Sequence, residues 1–144
     1  MKHILILCVG NICRSPIAEA LLRREFPEKK IWSAGLGALI GSPADPLSIE
    51  VAAARGLDMS DHRTQQLASW MCQIADLILV MEQFQKIEIQ QQYPLARGKV
   101  FLLGEFGKFD IADPYRQSIA AFDTAYEAIA LGVANWAPRI RLLG

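Results

Sequence analysis

The sequence predicts an α/β fold, a four-stranded parallel sheet with helices on both faces. Two apolar runs, Ile4-Leu5-Ile6-Leu7 and Leu77-Ile78-Leu79-Val80, are nearly continuous, as in strands covered on both sides. Four such segments alternate with stretches of helical periodicity, the rhythm of a parallel sheet. The chain has 144 residues, 52% of them apolar, with no repeat, low-complexity tract or linker. That suits one ordinary core, so residues 1–144 read as a single domain.

The first strand spans His3–Cys8. A tight stretch, "CVGNICRSP" (8–16), leads into a helix with Pro16 at its first position and Ser15 as a cap. Ile17, Ala20 and Leu21 continue it at helical spacing. A second strand covers 30–34. A helix starts at Asp45-Pro46 and stops at Gly56, and a short one is expected over 64–71. The third strand is 77–81, followed by a helix over Gln83–Gln92 and a fourth strand at 100–103. Residues 104–117 lack periodicity, and a loop of that length is usually functional or mobile. In the last helix Ile119, Phe122, Tyr126, Ile129, Val133 and Trp136 recur every three or four residues, which reads as core packing.

Charge and cysteine content narrow the function classes. Fifteen basic and fifteen acidic side chains give a formal net charge of zero, against broad nucleic-acid or membrane-surface binding. No signal peptide or membrane span is expected. Three cysteines do not make a disulfide scaffold, so a reducing cytoplasm is expected. Cys72 falls in a helical stretch and reads as core.

The loop after the first strand carries the chemistry. Ligands of open α/β sheets bind beyond the carboxyl ends of strands, where Cys8 stands. A helix start offers unpaired N–H groups and a partial positive charge, and a tight loop across Val9, Gly10, Asn11, Ile12 and Cys13 turns more amides inward. Gly10 and Asn11 tolerate the left-handed backbone this requires. The planar fork of Arg14 holds two oxygens of a bound phosphate at once, which a lysine cannot. Such a positive field favours a thiolate, and a thiolate at the floor of an anion cradle attacks the phosphorus held there. Ser15 can donate a hydrogen bond to that sulfur.

Cys-x5-Arg-Ser is thus a phosphate-binding loop containing a nucleophile. It is not the nucleotide-binding Gly-x4-Gly-Lys-Ser/Thr loop, having one Gly and no Lys. Scattered Cys and His argue against zinc. Treating Cys8 and Cys13 as small packing residues leaves Gly10, Asn11, Arg14, Ser15 and Pro16 unexplained. Aryl phosphate hydrolysis also wants an acid, because the leaving phenolate has a pKa of about 10 and its protonation is worth roughly 10²–10⁴-fold. Asp113, before Pro114 on the long loop, is the best candidate. Tyr115 is placed to stack on a substrate ring. On local grounds a plain Asp-Pro turn is equally good.

With "SAG" (33–35), "DHR" (61–63) and "DPY" (113–115) following "CVGNICRSP" in order, the chain resembles the low molecular weight protein-tyrosine phosphatases from His3 to the final helix. The resemblance implies a two-step reaction without metal or organic cofactor. Cys8 forms a cysteinyl phosphate while Asp113 protonates the leaving tyrosine, then Asp113 serves as base for water. Arg14 and the loop amides hold the phosphate. Asn11, Ser15, Ser33 and His62 match positions that brace the loop. Segment 33–46 looks closest to the bacterial branch acting on membrane tyrosine autokinases that control capsule and exopolysaccharide export. Leu36, Leu39 and Ile40 stand where animal enzymes often have an aromatic residue, so Leu39 is expected beside the pocket. A monomer is expected. Family members with the Cys8–Cys13 pair can form a reversible disulfide; for Cys13, redox guard and packing residue both stand.

Three rivals remain. An arsenate reductase on this fold needs further downstream cysteines, and only Cys72 follows Cys13. A protein-arginine phosphatase tends to have a small polar residue where Ile12 stands, whereas a bulky Ile12 suits a flat ring. A non-catalytic phosphotyrosine-binding module does not need nucleophile, arginine and acid together.

Overall fold

The computed structural model describes residues 1–144. Its elements in chain order are β1 (His3–Cys8), α1 (Arg14–Glu25), β2 (Lys30–Gly35), α2 (Pro46–Ala53), α3 (Ser69–Ile74), β3 (Leu77–Val80), α4 (Gln83–Gln92), a 3-10 turn (Pro94–Ala96), β4 (Val100–Leu102) and α5 (Ile119–Leu142). The four strands are parallel in the order β2-β1-β3-β4. The chain moves outward from β1 to β2 on one side, then crosses to β3 on the other. The end of β1 is therefore the topological switch point, where open α/β sheets bind ligands.

Alternation along β1 explains its unbroken apolar run. Ile4, Ile6 and Cys8 face a core shared with Ile17 and Leu22 of α1, Val51 of α2, and Phe122, Ile129 and Trp136 of α5. Leu5 and Leu7 face a second core with Met71 and Cys72 of α3 and Ile89 of α4. Burial of each such large side chain contributes about 1.5–3 kcal/mol. The loop after β1 is thus mounted on a strand packed on both faces.

Three expectations are corrected. Residues 64–68 are not helical, and α3 starts only at Ser69. Gly35 N donates to the Gln65 carbonyl (2.9 Å) and Leu67 N to the Gly35 carbonyl (2.9 Å), so this stretch is drawn out to extend the β2 edge. Ser15 is not a helix cap and Pro16 is not the first helical residue. α1 begins at Arg14 with Cys13 in the cap position and no side-chain cap bond, and the Ser15 hydroxyl lies against Cys8 Sγ instead. Pro16 is tolerated in the first turn, where backbone N–H groups lack helical partners anyway. Ile119 is part-exposed in the first turn of α5, outside the buried stripe.

Strand ends shift by one residue: β2 gains Gly35, while β3 and β4 stop at Val80 and Leu102. Asp45 caps α2 by accepting from Leu47 N (2.9 Å), and Gly56, at φ 77°, lies just beyond it. Residues 104–117 carry no helix or strand.

Candidate active site

Cys8 is the last residue of β1 and is buried. The following loop turns in one step at Asn11, whose φ of 59° lies in the left-handed region that Asn tolerates better than most residues. The loop carbonyls are held outward. That of Cys8 accepts from Leu36 N (3.0 Å), Val9 from Gly37 N (2.9 Å) and Ile12 from Asp45 N (2.9 Å). The Asn11 carbonyl lies 2.7 Å from His62 Nε2, and that of Cys13 accepts from Ser48 Oγ (3.1 Å). None of the N–H groups of Val9, Gly10, Asn11, Ile12 or Cys13 donates to an acceptor in the protein. Five successive donors are thereby left for something else, which is the anatomy of an anion nest at a helix start.

Gly35 makes this packing possible. A Cβ there would lie 2.7 Å from the Val9 carbonyl oxygen and 3.1 Å from the Asn11 Cβ. The glycine of "SAG" is thus the surface on which the loop rests.

Behind the loop, side chains form an ordered network. Asn11 Nδ2 donates to Ser15 Oγ (2.8 Å) and Ser33 Oγ (2.9 Å), while its Oδ1 accepts from Gln65 N (3.0 Å). Ser33 donates to Glu19 Oε1 (2.5 Å), and Glu19 pairs with Arg23 (3.1 Å). Ser15 Oγ lies 2.9 Å from Cys8 Sγ. Asn11 and Ser15 therefore stand beneath the cradle with their side chains turned away from its opening, and Ser33 and His62 form the shell around them.

Arg14 is almost wholly buried, 1% exposed. Its Nη1 donates to Glu82 Oε1 (2.5 Å) and the Ile111 carbonyl (2.7 Å), and its Nη2 is 3.7 Å from Asp113 Oδ2. Its Nε, shielded from water, has no partner. A buried guanidinium with an unused donor is costly unless an acceptor arrives. Asp113 is fixed by its turn: Oδ1 accepts from Tyr115 N (3.1 Å), and its carbonyl accepts from Gln117 Nε2 (3.0 Å). That leaves Oδ2 toward Arg14.

These groups surround a pocket of about 200 Å³ with Cys8 and Arg14 in its lining. Val9, Ile12, Leu39 and Tyr115 supply apolar walls, and Asp113 lies on the same lining. Leu39 is 75% and Tyr115 44% exposed, so both are rim residues. Arg116 lies over the Tyr115 ring, 5.1 Å from its centroid. Cys13 also touches the pocket, but burial pushes its thiol far above the ordinary cysteine range. Asp45, Cys8 and Asp113 add to that shift and Arg14 opposes it. Cys8 and Cys13 are both free thiols.

The geometry adds Glu82, Glu19, Gln65 and Gly35 to the residues expected from sequence. Glu82 follows the carboxyl end of β3, beside the switch point, and no motif marks it in the sequence. Glu19 and Gln65 lie in segments without any motif.

A family profile described as "Low molecular weight phosphotyrosine protein phosphatase" matches residues 3–142. The chain is 56% identical over 144 residues to the probable low molecular weight protein-tyrosine-phosphatase EpsP of Ralstonia nicotianae, covering 100% of this chain and 99% of that protein. Among solved structures, Vibrio vulnificus Wzb in complex with benzylphosphonate superposes with a TM-score of 0.92 at 47% identity, covering 96% of this chain and 98% of that one. The YwlE arginine phosphatase from Geobacillus stearothermophilus also superposes with a TM-score of 0.92, at 32% identity, covering 99% of this chain and 94% of that one.

Proposed function

The chain belongs to the low molecular weight phosphotyrosine protein phosphatases, and from that premise we propose that residues 1–144 act as one domain hydrolysing phosphotyrosine through a cysteinyl phosphate. The observation that carries this reading is the run of five unpartnered loop amides beside the unused Nε of buried Arg14, around Cys8. A phosphate group supplies the acceptors these donors lack.

In the first step Cys8 Sγ attacks phosphorus and the bond to the phenolic oxygen breaks. Asp113 gives its proton to that oxygen, and the loop amides with Arg14 hold the equatorial oxygens as charge develops on them. In the second step Asp113 takes a proton from water, whose oxygen forms the new bond to phosphorus. The S–P bond breaks and the electron pair returns to Cys8, with Ser15 donating to the sulfur.

The pocket walls favour a phenyl ring. Ile12, Val9, Leu39 and Tyr115 line it with apolar surface and no carboxylate other than Asp113. A phosphoarginine guanidinium would find only one side-chain carboxylate, Asp113, among these walls. Benzylphosphonate, held by the Vibrio relative, has the same ring-and-dianion shape as an aryl phosphate. Likeness of segment 33–46 to the bacterial branch, together with similarity to EpsP and Wzb, supports a membrane tyrosine autokinase of capsule or exopolysaccharide export as the partner. The protein then works as a cytoplasmic monomer on the kinase's cytoplasmic tyrosines.

The test is turnover of p-nitrophenyl phosphate and of phosphotyrosine and phosphoarginine peptides, with chelator present. Cys8→Ser should abolish all turnover while still binding the phosphotyrosine peptide. Asp113→Asn should slow the tyrosine substrate about 10²–10³-fold, and p-nitrophenyl phosphate, with its better leaving group, much less. Equal slowing of both substrates removes Asp113 as the acid. Faster turnover of phosphoarginine removes the tyrosine assignment.

A further inference from the structure

A hollow larger than the Cys8 pocket lies away from the loop after β1. It is a groove of about 750 Å³ beside the β2 edge of the sheet, reaching His3 and Lys30 at the amino-terminal ends of β1 and β2, opposite the Cys8 end. Trp32 of β2 and Trp70 and Ile74 of α3 form apolar walls. Trp70 is 56% and Ile74 45% exposed, so both offer apolar surface to the groove. Arg23, Lys29 and Lys30 supply positive charge, and no Asp or Glu lines the groove. In a chain with equal numbers of acids and bases, that one-sided lining is a marked local imbalance. Arg23 shares its charge with Glu19 and His3 stands beside Asp76 (3.6 Å), whereas Lys29, whose Nζ donates to the Met1 carbonyl (2.6 Å), and Lys30 keep charges that no carboxylate offsets. Trp32 Nε1, shielded from water, is a donor without an acceptor.

We propose that this groove docks an acidic, apolar-bearing segment of a partner protein. Charge complementarity selects carboxylates, and the tryptophan walls select apolar side chains between them. The carbonyls of Ile31 and Ser33 on this edge are already bonded to Arg23 (2.8 Å) and Gln65 (2.8 Å), so recognition runs through side chains rather than strand addition. A bilayer is flat and does not reach into a concave groove. The proposal is independent of the chemistry at Cys8.

Calorimetry on the intact protein tests it. The probe is a short peptide of Glu, Asp, Leu and Ile, without tyrosine, tryptophan or phosphate, compared with its counterpart carrying Lys at each acidic position. The acidic peptide should bind at least tenfold more tightly, and more weakly as salt rises. Lys29→Glu with Lys30→Glu should weaken binding about tenfold, and Trp70→Ala by at least about tenfold. Both variants should keep p-nitrophenyl phosphate turnover, which shows they are folded. Absent binding, equal binding of the Lys peptide, or indifference to these substitutions overturns the proposal. So does groove-dependent binding of anionic phospholipid vesicles or self-association in sedimentation when the acidic peptide does not bind.

Discussion

Glu82 is the sharpest test of how the site is held together. It receives a 2.5 Å hydrogen bond from Arg14 Nη1, and Arg14 is 1% exposed. Only the Ile111 carbonyl and a more distant Asp113 oxygen otherwise face that guanidinium. A hydrogen bond to a charged group contributes about 1.5–3 kcal/mol, and a neutral acceptor about half as much. The Glu82 side chain is 23% exposed, so water can partly take its place, and the lower half of that range applies. Glu82→Gln keeps an acceptor at the same point and should lose about 1 kcal/mol of positioning, roughly fivefold in kcat/KM. Glu82→Ala removes the acceptor and lets the fork swing, so about 1.5–2 kcal/mol, or roughly 10- to 30-fold, is expected. The assay is kcat/KM on p-nitrophenyl phosphate, with urea unfolding to show that each variant is native at the assay temperature. If folded Glu82→Ala stays within about twofold of the parent, Arg14 does not depend on Glu82 and the reasoning fails. If Gln is as damaging as Ala, charge rather than position is what matters.

Two further outcomes follow from the packing. Gly35→Ala sets a methyl 2.7 Å from the Val9 carbonyl oxygen, so the loop after β1 must move. A cost of about 1–3 kcal/mol in stability and a roughly 10- to 100-fold loss of kcat/KM are expected, and unchanged activity would show that the loop is not seated on this glycine. Burial raises the thiols of Cys13 and Cys72 in the folded state. Their contribution is intact below the ordinary cysteine value of about 8.5. It falls as pH rises above that value, because the unfolded chain then releases protons that the folded chain keeps. Urea midpoints measured from pH 7 to 10 should decline on the alkaline side, and Cys13→Ala with Cys72→Ala should flatten that decline.

The architecture was legible because β1 carries its information locally. A strand packed on both faces needs apolar residues at every position, and Ile4 to Leu7 show that without reference to anything distant. The geometry of the loop after β1 was legible for a related reason, since its amides, Asn11, Arg14 and Ser15 lie within eight residues of one another in the chain. What escaped was whatever depends on a second segment. Residues 64–68 have helical spacing, but Gly35 and Asn11 offer that backbone better partners, and it extends instead. Glu82 is indistinguishable in sequence from a surface acid until β3 is set beside β1. The start of α1 also escaped: Ser15 has the residue type of a cap, but the helix begins one residue before it, at Arg14.

The network behind the loop has a polarity that follows from its far end. Glu19, paired with Arg23, is an acceptor only, so Ser33 must give it the hydroxyl hydrogen. Ser33 then accepts from Asn11 Nδ2. The amide cannot be reversed, because Asn11 Oδ1 is held by the Gln65 backbone N–H. The second hydrogen of Nδ2 therefore points at Ser15 Oγ, and the Ser15 hydroxyl has its own hydrogen left for Cys8 Sγ. A hydroxyl free to rotate would spend part of its time accepting from a protonated thiol. This one is oriented as a donor before any substrate arrives, which suits the proposed chemistry, in which the sulfur carries negative charge both when it attacks and when it leaves. A carboxylate facing away from the pocket thus sets the direction of a hydrogen bond at its floor, through three side chains from three different segments of the fold.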